Sequence, residues 1–549
     1  MIKLISASVF ILFLITSCTT PTCKQNGVNN TNVAAPYSIS NLIIDTITIQ
    51  KFIGTHAISD TIQTQVIEFY KRRNYTFAWL NDNGAKQAVL VFYSQLKNYS
   101  YCFADSSLNT KTLDVLIADL NKDKKTFFSQ NNNSEQLELQ LTTTFFKFAK
   151  IAYSGTAIDL KNLEWFIPRD IKNYQSLLDS LIIATKNTKV YEPVNEHYFR
   201  LKNKLVQYRS IEKKGGFPII AAYTKTLALG SIDASITSVK HQLFLTSDLH
   251  LNDTTTLFTD SLLKAVKRFQ HRMGLTENGK LDLATSIELG KPIGVRIKQI
   301  MINMERLRWI PVTIEKNYLL VNIPEFKLHV FKNNKPVWAT NIVVGKSATQ
   351  TSIFKSNVTQ IILNPYWGVP QSIANKEVLM HLKKNTDYLN HNNMEVLLND
   401  KVINPDGINW NEYITHVPFT FRQKPGKNNA LGKIKYSFPN SFDIYLHDTP
   451  SKNLFNDTRR AFSHGCIRVA NPQKLATYLL VNNPDWNTKR INKILKTDDE
   501  TFIKLTTPIP IYIVYITSWV DNTGQLNFRN DVYNLDKKLA ADIFGEQYK

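Results

Sequence analysis

The sequence predicts a multidomain α+β chain: a helical scaffold, a second small helical unit, and a mainly β domain that carries the chemistry. Three observations lead there. Apolar residues recur at helical spacing between residues 60 and 210; Gly215, Gly216 and Gly290 isolate a short amphipathic stretch; and from Tyr318 onward the apolar pattern becomes alternation. At 549 residues, with 43% hydrophobic and 11% aromatic content, the chain builds cores of its own, and wholesale disorder is excluded.

The amino terminus addresses the chain for export. Lys3 precedes an apolar run over residues 4–15, too short to span a bilayer and suited to a signal-peptide core (1–17). Ile15-Thr16-Ser17-Cys18 resembles a lipobox, in which cleavage leaves a lipidated Cys18 as the first residue; an ordinary signal peptide with a chance cysteine is the competing reading. Thr19 in place of aspartate favours the inner leaflet of the outer membrane over the inner membrane, in the periplasm. Residues 18–55 read as a polar tether. Sixty-six basic against 45 acidic residues give a net charge of +21, but the cations are scattered and no nucleic-acid signature is present, so no nucleic-acid partner is expected. Cys23, Cys102 and Cys466 remain after Cys18, and no structural disulfide is expected.

Each element then has its own justification. In the scaffold (56–214), Ile62, Val66, Phe69 and Tyr70, then Val89, Phe92 and Leu96, then Leu137, Leu141 and Phe145 mark buried helical stripes. Tyr75, Phe77 and Trp79 read as core or as a sugar-stacking platform, and no acid/base pair stands out. In the second unit (215–291), residues 261–273 are amphipathic, with Asp260 as expected N-cap and Gly274 as stop; Asp282 and Gly290 bracket a further helix. A connecting helix is expected over 293–309 within 292–317, facing inward through Ile297, Ile300, Met301, Met304 and Leu307. Strands are expected at 318–323, 327–331, 337–344, 358–363, 442–447 and 511–517, making a sandwich or barrel. The insertion at 372–420 reads as helical, with its best helices at 375–383 and 393–398, and residues 521–549 as a closing hairpin and tail.

Residues 442–469 carry the chemistry. Alternation places His447 on one face at the end of a strand, and Cys466 follows nineteen residues later in Ser463-His464-Gly465-Cys466. That spacing allows a loop to leave the strand and return beside it, bringing imidazole and thiol together as a base and nucleophile. In the turn, the amides of His464, Gly465 and Cys466 could meet a developing oxyanion. Ser463 is expected to bond its own turn, and His464 to support the loop. A single nearby cysteine does not make a zinc site, so no metal and no cofactor are expected.

This block resembles the catalytic signature of the L,D-transpeptidases, with further agreement in order: Asn364-Pro365-Tyr366-Trp367, Arg422-Gln423 with Pro425-Gly426, Asn429-Ala430-Leu431-Gly432, and Tyr445-Leu446-His447-Asp448-Thr449-Pro450. Residues 215–291 are similar to the small three-helix peptidoglycan-binding domain. The resemblance implies a mainly β catalytic domain over 318–520, a helical substrate-capping insertion, peptidoglycan stem peptides as partners, and carbapenems as covalent inhibitors. It implies that Cys466 attacks the third stem residue, releases D-Ala and forms 3→3 cross-links; water as acceptor gives L,D-carboxypeptidase activity, and a non-catalytic wall-binding lipoprotein is the third reading. Arg468 would pair with a stem carboxylate or serve as a structural ion pair, and Tyr445 and Trp367 would line the donor groove or the core. Thr351-Ser352 follows Val344-Gly345-Lys346 where the family often has Thr-Pro, a departure expected to affect a turn alone.

Overall fold

The computed structural model describes residues 40–103, 108, 110–130, 132–156, 158–183 and 192–545, so the leader, Cys18, Cys23 and most of the tether lie outside the described residues. Residues 40–545 belong to one compact unit. No helix of the described residues is long and apolar enough to cross a membrane.

The scaffold is helical, as the periodicity predicts, with helices Asp60–Arg72, Gln87–Phe103, Asn133–Ala149 and Glu196–Lys213 among its members. It begins earlier than expected. Thr46–Thr55, read as tether, is a helix capped by Asp45 that buries Ile49, Phe52 and Ile53 against Asn133–Ala149. The interior is aromatic: Phe92 meets Trp79 and Phe145, each at 5.5 Å between ring centroids. Phe77 and Trp79 are buried, which makes them core and removes the sugar-platform reading for both. The sequence reading passed over Glu138. Its fully buried carboxylate accepts from Trp79 N at 3.0 Å, Leu80 N at 3.2 Å, Ala78 N and the Tyr70 hydroxyl. Burial lifts its pKa to about 7 against those hydrogen bonds.

The second unit contains helices Ser235–Leu245, Asp260–Met273 and Leu283–Leu289. Thr259, rather than Asp260, caps the second of these by accepting from Leu262 N at 3.3 Å; Asp260 sits in the first turn, where its charge suits the helix dipole. Ile293–Trp309 forms as read, but it is buried on nearly every side rather than along one stripe. Its polar residues peg the surrounding elements together. Arg308 donates to Ala152 O of the scaffold at 3.0 Å, and Asn303 exchanges hydrogen bonds with Thr517 at 2.7 and 2.8 Å. Arg306 pairs with Asp536, which lies on helix Leu535–Phe544. That helix replaces the expected tail, while the hairpin Ser518–Val520 with Leu526–Phe528 forms as predicted.

The β region is a closed barrel. Its strands are β1 (Tyr318–Asn322), β2 (Lys327–Lys332), β3 (Lys335–Gly345), β4 (Lys355–Leu363), β5 (Ile434–Ser437), β6 (Leu446–His447), β7 (Ala461–Ser463), β8 (Ile467–Val469) and β9 (Thr501–Val514). The order β3-β8-β6-β5-β4-β9-β1-β2 returns to β3, with β7 added in parallel beside the end of β3. Closure removes the sheet edges, and β-branched and aliphatic side chains such as Val321, Ile361, Ile467 and Ile513 fill the interior.

The insertion is a lid with a core of its own, built from Val378, Leu379, Leu382, Val396, Trp410, Val417 and Phe421. It is not purely helical. Residues 393–398, expected as a helix, contain strand Met394–Leu398, paired with Thr420–Gln423 in a sheet of four strands. Pairing of Val396 with Phe421 across the sheet overrides a local helical preference. The expected 442–447 strand also shortens to Leu446–His447. Asp443 adopts a φ of 54°, and Asn440 ties the preceding turn by accepting from Phe442 N and Ile444 N at 3.0 and 3.1 Å.

Candidate active site

The barrel register assembles the site. β6 runs antiparallel to β5, with Lys435 opposite His447, and parallel to β8, with His447 opposite Arg468. Alternation along the strands therefore puts Lys435, His447 and Arg468 in one row on one face. Two residues back on the same face lie Tyr445 and Cys466, held in step by Ile467 N donating to Tyr445 O at 3.1 Å. Thiol and imidazole thus share a face in adjacent rows, but the hydrogen bond expected between them does not form, the thiol being bonded elsewhere.

His447 is buried, and its Nδ1 donates to the Asp448 carbonyl at 2.5 Å. A carbonyl only accepts, so Nδ1 carries the proton and the neutral ring presents a lone pair at Nε2. Burial, then the charge of Arg468, holds its pKa down at about 3 against the Asp448 hydrogen bond. Asp448 is itself fixed: its carboxylate accepts from Lys433 N at 2.9 Å and Thr449 N at 2.7 Å and pairs with Lys452. Gly432 makes room for it, because a Cβ there would lie 2.5 Å from the Asp448 carboxyl, at a φ of +61°.

The Cys466 thiol donates to Asp443 O at 3.5 Å rather than to the imidazole. Another staggered rotamer carries the sulfur a few ångströms across the same face. Burial pushes the thiol pKa up, while the Tyr445 amide, the Tyr445 hydroxyl and Lys435 pull it the other way.

The turn before the cysteine is tied on both sides. The Ser463 hydroxyl donates to Cys466 O at 2.5 Å and accepts from Gly465 N at 3.2 Å. This leaves Gly465 N–H engaged inside the turn, so the expected oxyanion donors reduce to the amides of His464 and Cys466. Thr351, reached through the noted departure after Lys346, matters more than a turn residue. Its hydroxyl donates to Gly465 O at 2.7 Å and accepts from Gly345 N at 3.0 Å.

The remaining residues divide. His464 points to the lid, its Nε2 3.0 Å from Glu377 Oε1. Trp367 and Arg468 line a cavity of about 240 Å³ with Tyr388, Met394, Gln423 and Thr449, between lid and barrel. Arg468 makes no ion pair among the described residues and its buried Nε has no hydrogen-bond partner there, which removes its structural ion-pair alternative. Tyr445 is not among the residues that line that cavity; its ring lies beneath Lys435 Nζ, 4.1 Å from the centroid, and edge-on to His447 at 5.6 Å. Sequence reasoning missed Lys435, Asp448 and Glu377 and gave Thr351 a turn role alone; of the three missed, only Asp448 carried a signal, its place in the Tyr445–Pro450 block.

Residues 316–497 match YkuD, the L,D-transpeptidase catalytic domain, and residues 64–205 match a scaffold domain. A Haemophilus influenzae protein described as "Putative L,D-transpeptidase" is 32% identical over 243 residues, 44% of this chain and 49% of the relative. The chain thus spans about half the length of the curated relative it matches. Similar solved structures include an L,D-transpeptidase from Stackebrandtia nassauensis, 11% identical, covering 54% of this chain and 97% of that one with a TM-score of 0.22. Another is an L,D-transpeptidase in complex with imipenem, 13% identical, covering 36% and 59% of the two chains with a TM-score of 0.16. Residues 316–497 are accordingly similar to the YkuD-type L,D-transpeptidase catalytic domain, and residues 64–205 to a scaffold domain.

Proposed function

We propose that the protein is a periplasmic, lipid-anchored L,D-transpeptidase that forms 3→3 peptidoglycan cross-links through an acyl-enzyme on Cys466. The observation that carries this reading is the shared face of Cys466 and His447 in adjacent ladder rows, with Nδ1 of His447 committed to Asp448 O. Sγ of Cys466 attacks the carbonyl of the third stem residue as its proton passes to Nε2 of His447. The tetrahedral oxyanion meets the amides of His464 and Cys466, the proton passes to the departing nitrogen, and D-Ala leaves. A side-chain amine of a second stem then attacks the thioester, His447 takes its proton, and the thiol is restored. The thioester conserves the energy of the broken amide, so neither ATP nor a cofactor enters the balance.

Arg468 offers its unpartnered Nε to a stem carboxylate, within reach of the cavity it lines beside Trp367. The lid favours an amine over water as acceptor by narrowing access; water in that role would give L,D-carboxypeptidase activity. The three-helix unit adds affinity for the wall, Cys18 carries the lipid, and carbapenems acylate Cys466. Purified protein is incubated with tetrapeptide muropeptides: the wild type yields dimers and free D-Ala, and Cys466→Ala yields neither. Cross-linking that survives Cys466→Ala sinks the proposal, and trimmed monomers in place of dimers assign the hydrolytic reading.

A further inference from the structure

The charges around the sulfur raise a question that a Cys/His pair leaves open. An imidazole surrounded by Arg468 and Lys435 and sealed from water is a poor place for a standing positive charge, so the counter-charge of a thiolate has to come from elsewhere.

Lys435 is placed for that. It lies on β5 directly opposite His447, on the face that carries Cys466, and is itself half-buried. Among the described residues its ammonium has no ion-pair partner; Nζ sits instead over the Tyr445 ring, 4.1 Å from the centroid. A lysine removed from water without a carboxylate is expensive unless another anion compensates it. The ring beneath it belongs to Tyr445, which lies on the same face as Cys466 in the neighbouring strand, held in step by Ile467 N donating to Tyr445 O at 3.1 Å. A cation over a phenol ring draws electron density from it and makes the hydroxyl a stronger donor.

We propose that Lys435 and Tyr445 form a thiolate-holding site, Tyr445 by offering its hydroxyl to the Cys466 sulfur on the face the two residues share and Lys435 as the positioning charge that acts through the Tyr445 ring and on the sulfur. This deepens, and rests on, the reading of Cys466 as the nucleophile. The thiol gives its proton to Nε2 of His447 or to solvent, and no other reagent is required. The remaining groups facing the sulfur fit this assignment. Asp443 opposes the thiolate, Arg468 supports it from the next row, and His464 is turned to Glu377 of the lid. Glu500, the carboxylate that acts on Lys435, is engaged with Tyr366 N at 2.8 Å.

The test reads thiolate directly. Alkylation of Cys466 by iodoacetamide in the full chain is followed by mass spectrometry from pH 5 to 10, for wild type, Lys435→Met, Lys435→Arg and Tyr445→Phe. Losing an opposite charge at this range raises a thiol pKa by about one unit or more, so Lys435→Met should alkylate about tenfold more slowly at pH 7. Lys435→Arg should stay close to wild type, since charge rather than stem is at issue, and Tyr445→Phe should shift upward even with the ammonium in place. Lys435→Gln replaces Lys435→Met should the latter not fold by circular dichroism. A Lys435→Met or Lys435→Gln profile that overlays wild type overturns the proposal. Cross-linking that persists in Cys466→Ala alongside a shifted Lys435→Met profile would instead overturn the choice of nucleophile, so the two failures are separable.

Discussion

Replacing Thr351 by valine tests whether the cysteine turn is held from outside its own motif. The side chain is 1% exposed, and valine keeps its shape while removing both hydrogen-bonding functions. Gly465 O loses the donor at 2.7 Å, and Gly345 N loses the acceptor at 3.0 Å. Each buried polar group left unpaired costs about 1–3 kcal/mol, and the carbonyl, with two lone pairs, falls at the low end; the pair together should cost about 2–4 kcal/mol. The loss falls on the segment that orients the Cys466 sulfur and the amides beside it. A displacement well under an ångström there is enough to lower transfer by about 10- to 100-fold. Hydrogen exchange resolved at the Gly345 amide should show lost protection, dimer formation should fall by that factor, and Thr351→Ser should restore both. Wild-type Gly345 protection with wild-type dimer yield in Thr351→Val would refute the reasoning.

Three further outcomes are expected. Because His447 has its pKa pressed from the ordinary 6.5 to about 3, the unfolded chain binds more protons between those values; stability is fully present above pH 6.5 and drains as pH falls toward 3. Denaturant midpoints from pH 7 to pH 4 should therefore decline more steeply for wild type than for His447→Gln, and parallel curves would contradict the buried neutral ring. Glu377→Gln removes the lid's contact with His464, an exposed pair worth under about 1 kcal/mol, so stability should hold while the ratio of trimmed monomers to dimers rises a few-fold; an unchanged ratio means this contact does not seat the lid. In the scaffold, Glu138→Leu strands the amides of Ala78, Trp79 and Leu80 and should cost about 3–5 kcal/mol, read as an earlier thermal transition by circular dichroism. A transition at the wild-type temperature would show that the cradle contributes nothing.

Much of the fold was legible because its signals are local. Helix Ile293–Trp309 and strands β1 to β4 announce themselves by period and by flanking turns such as Asn333 and Asn334, whose φ values of 51° and 60° are those a tight reversal needs. Misreadings cluster where the partner is remote. Met394–Leu398 is a strand because Thr420–Gln423 comes alongside it, and Leu535–Phe544 is anchored by Arg306, some 230 residues earlier. Thr46–Thr55 owes its place to a surface offered by Asn133–Ala149.

The site divides along the same line. Residue order by itself marked Cys466 and His447 as the candidate nucleophile and base, since Ser463 to Cys466 and Tyr445 to Pro450 are contiguous blocks whose chemistry is written in residue types. Only tertiary structure decided which charges and donors surround them. Barrel register set Lys435 and Arg468 beside His447, a strand end brought Thr351 to Gly465, and lid folding delivered Glu377 to His464. Spacing along a chain constrains only near neighbours, whereas electrostatics and hydrogen bonding act between groups that closure of the barrel makes adjacent.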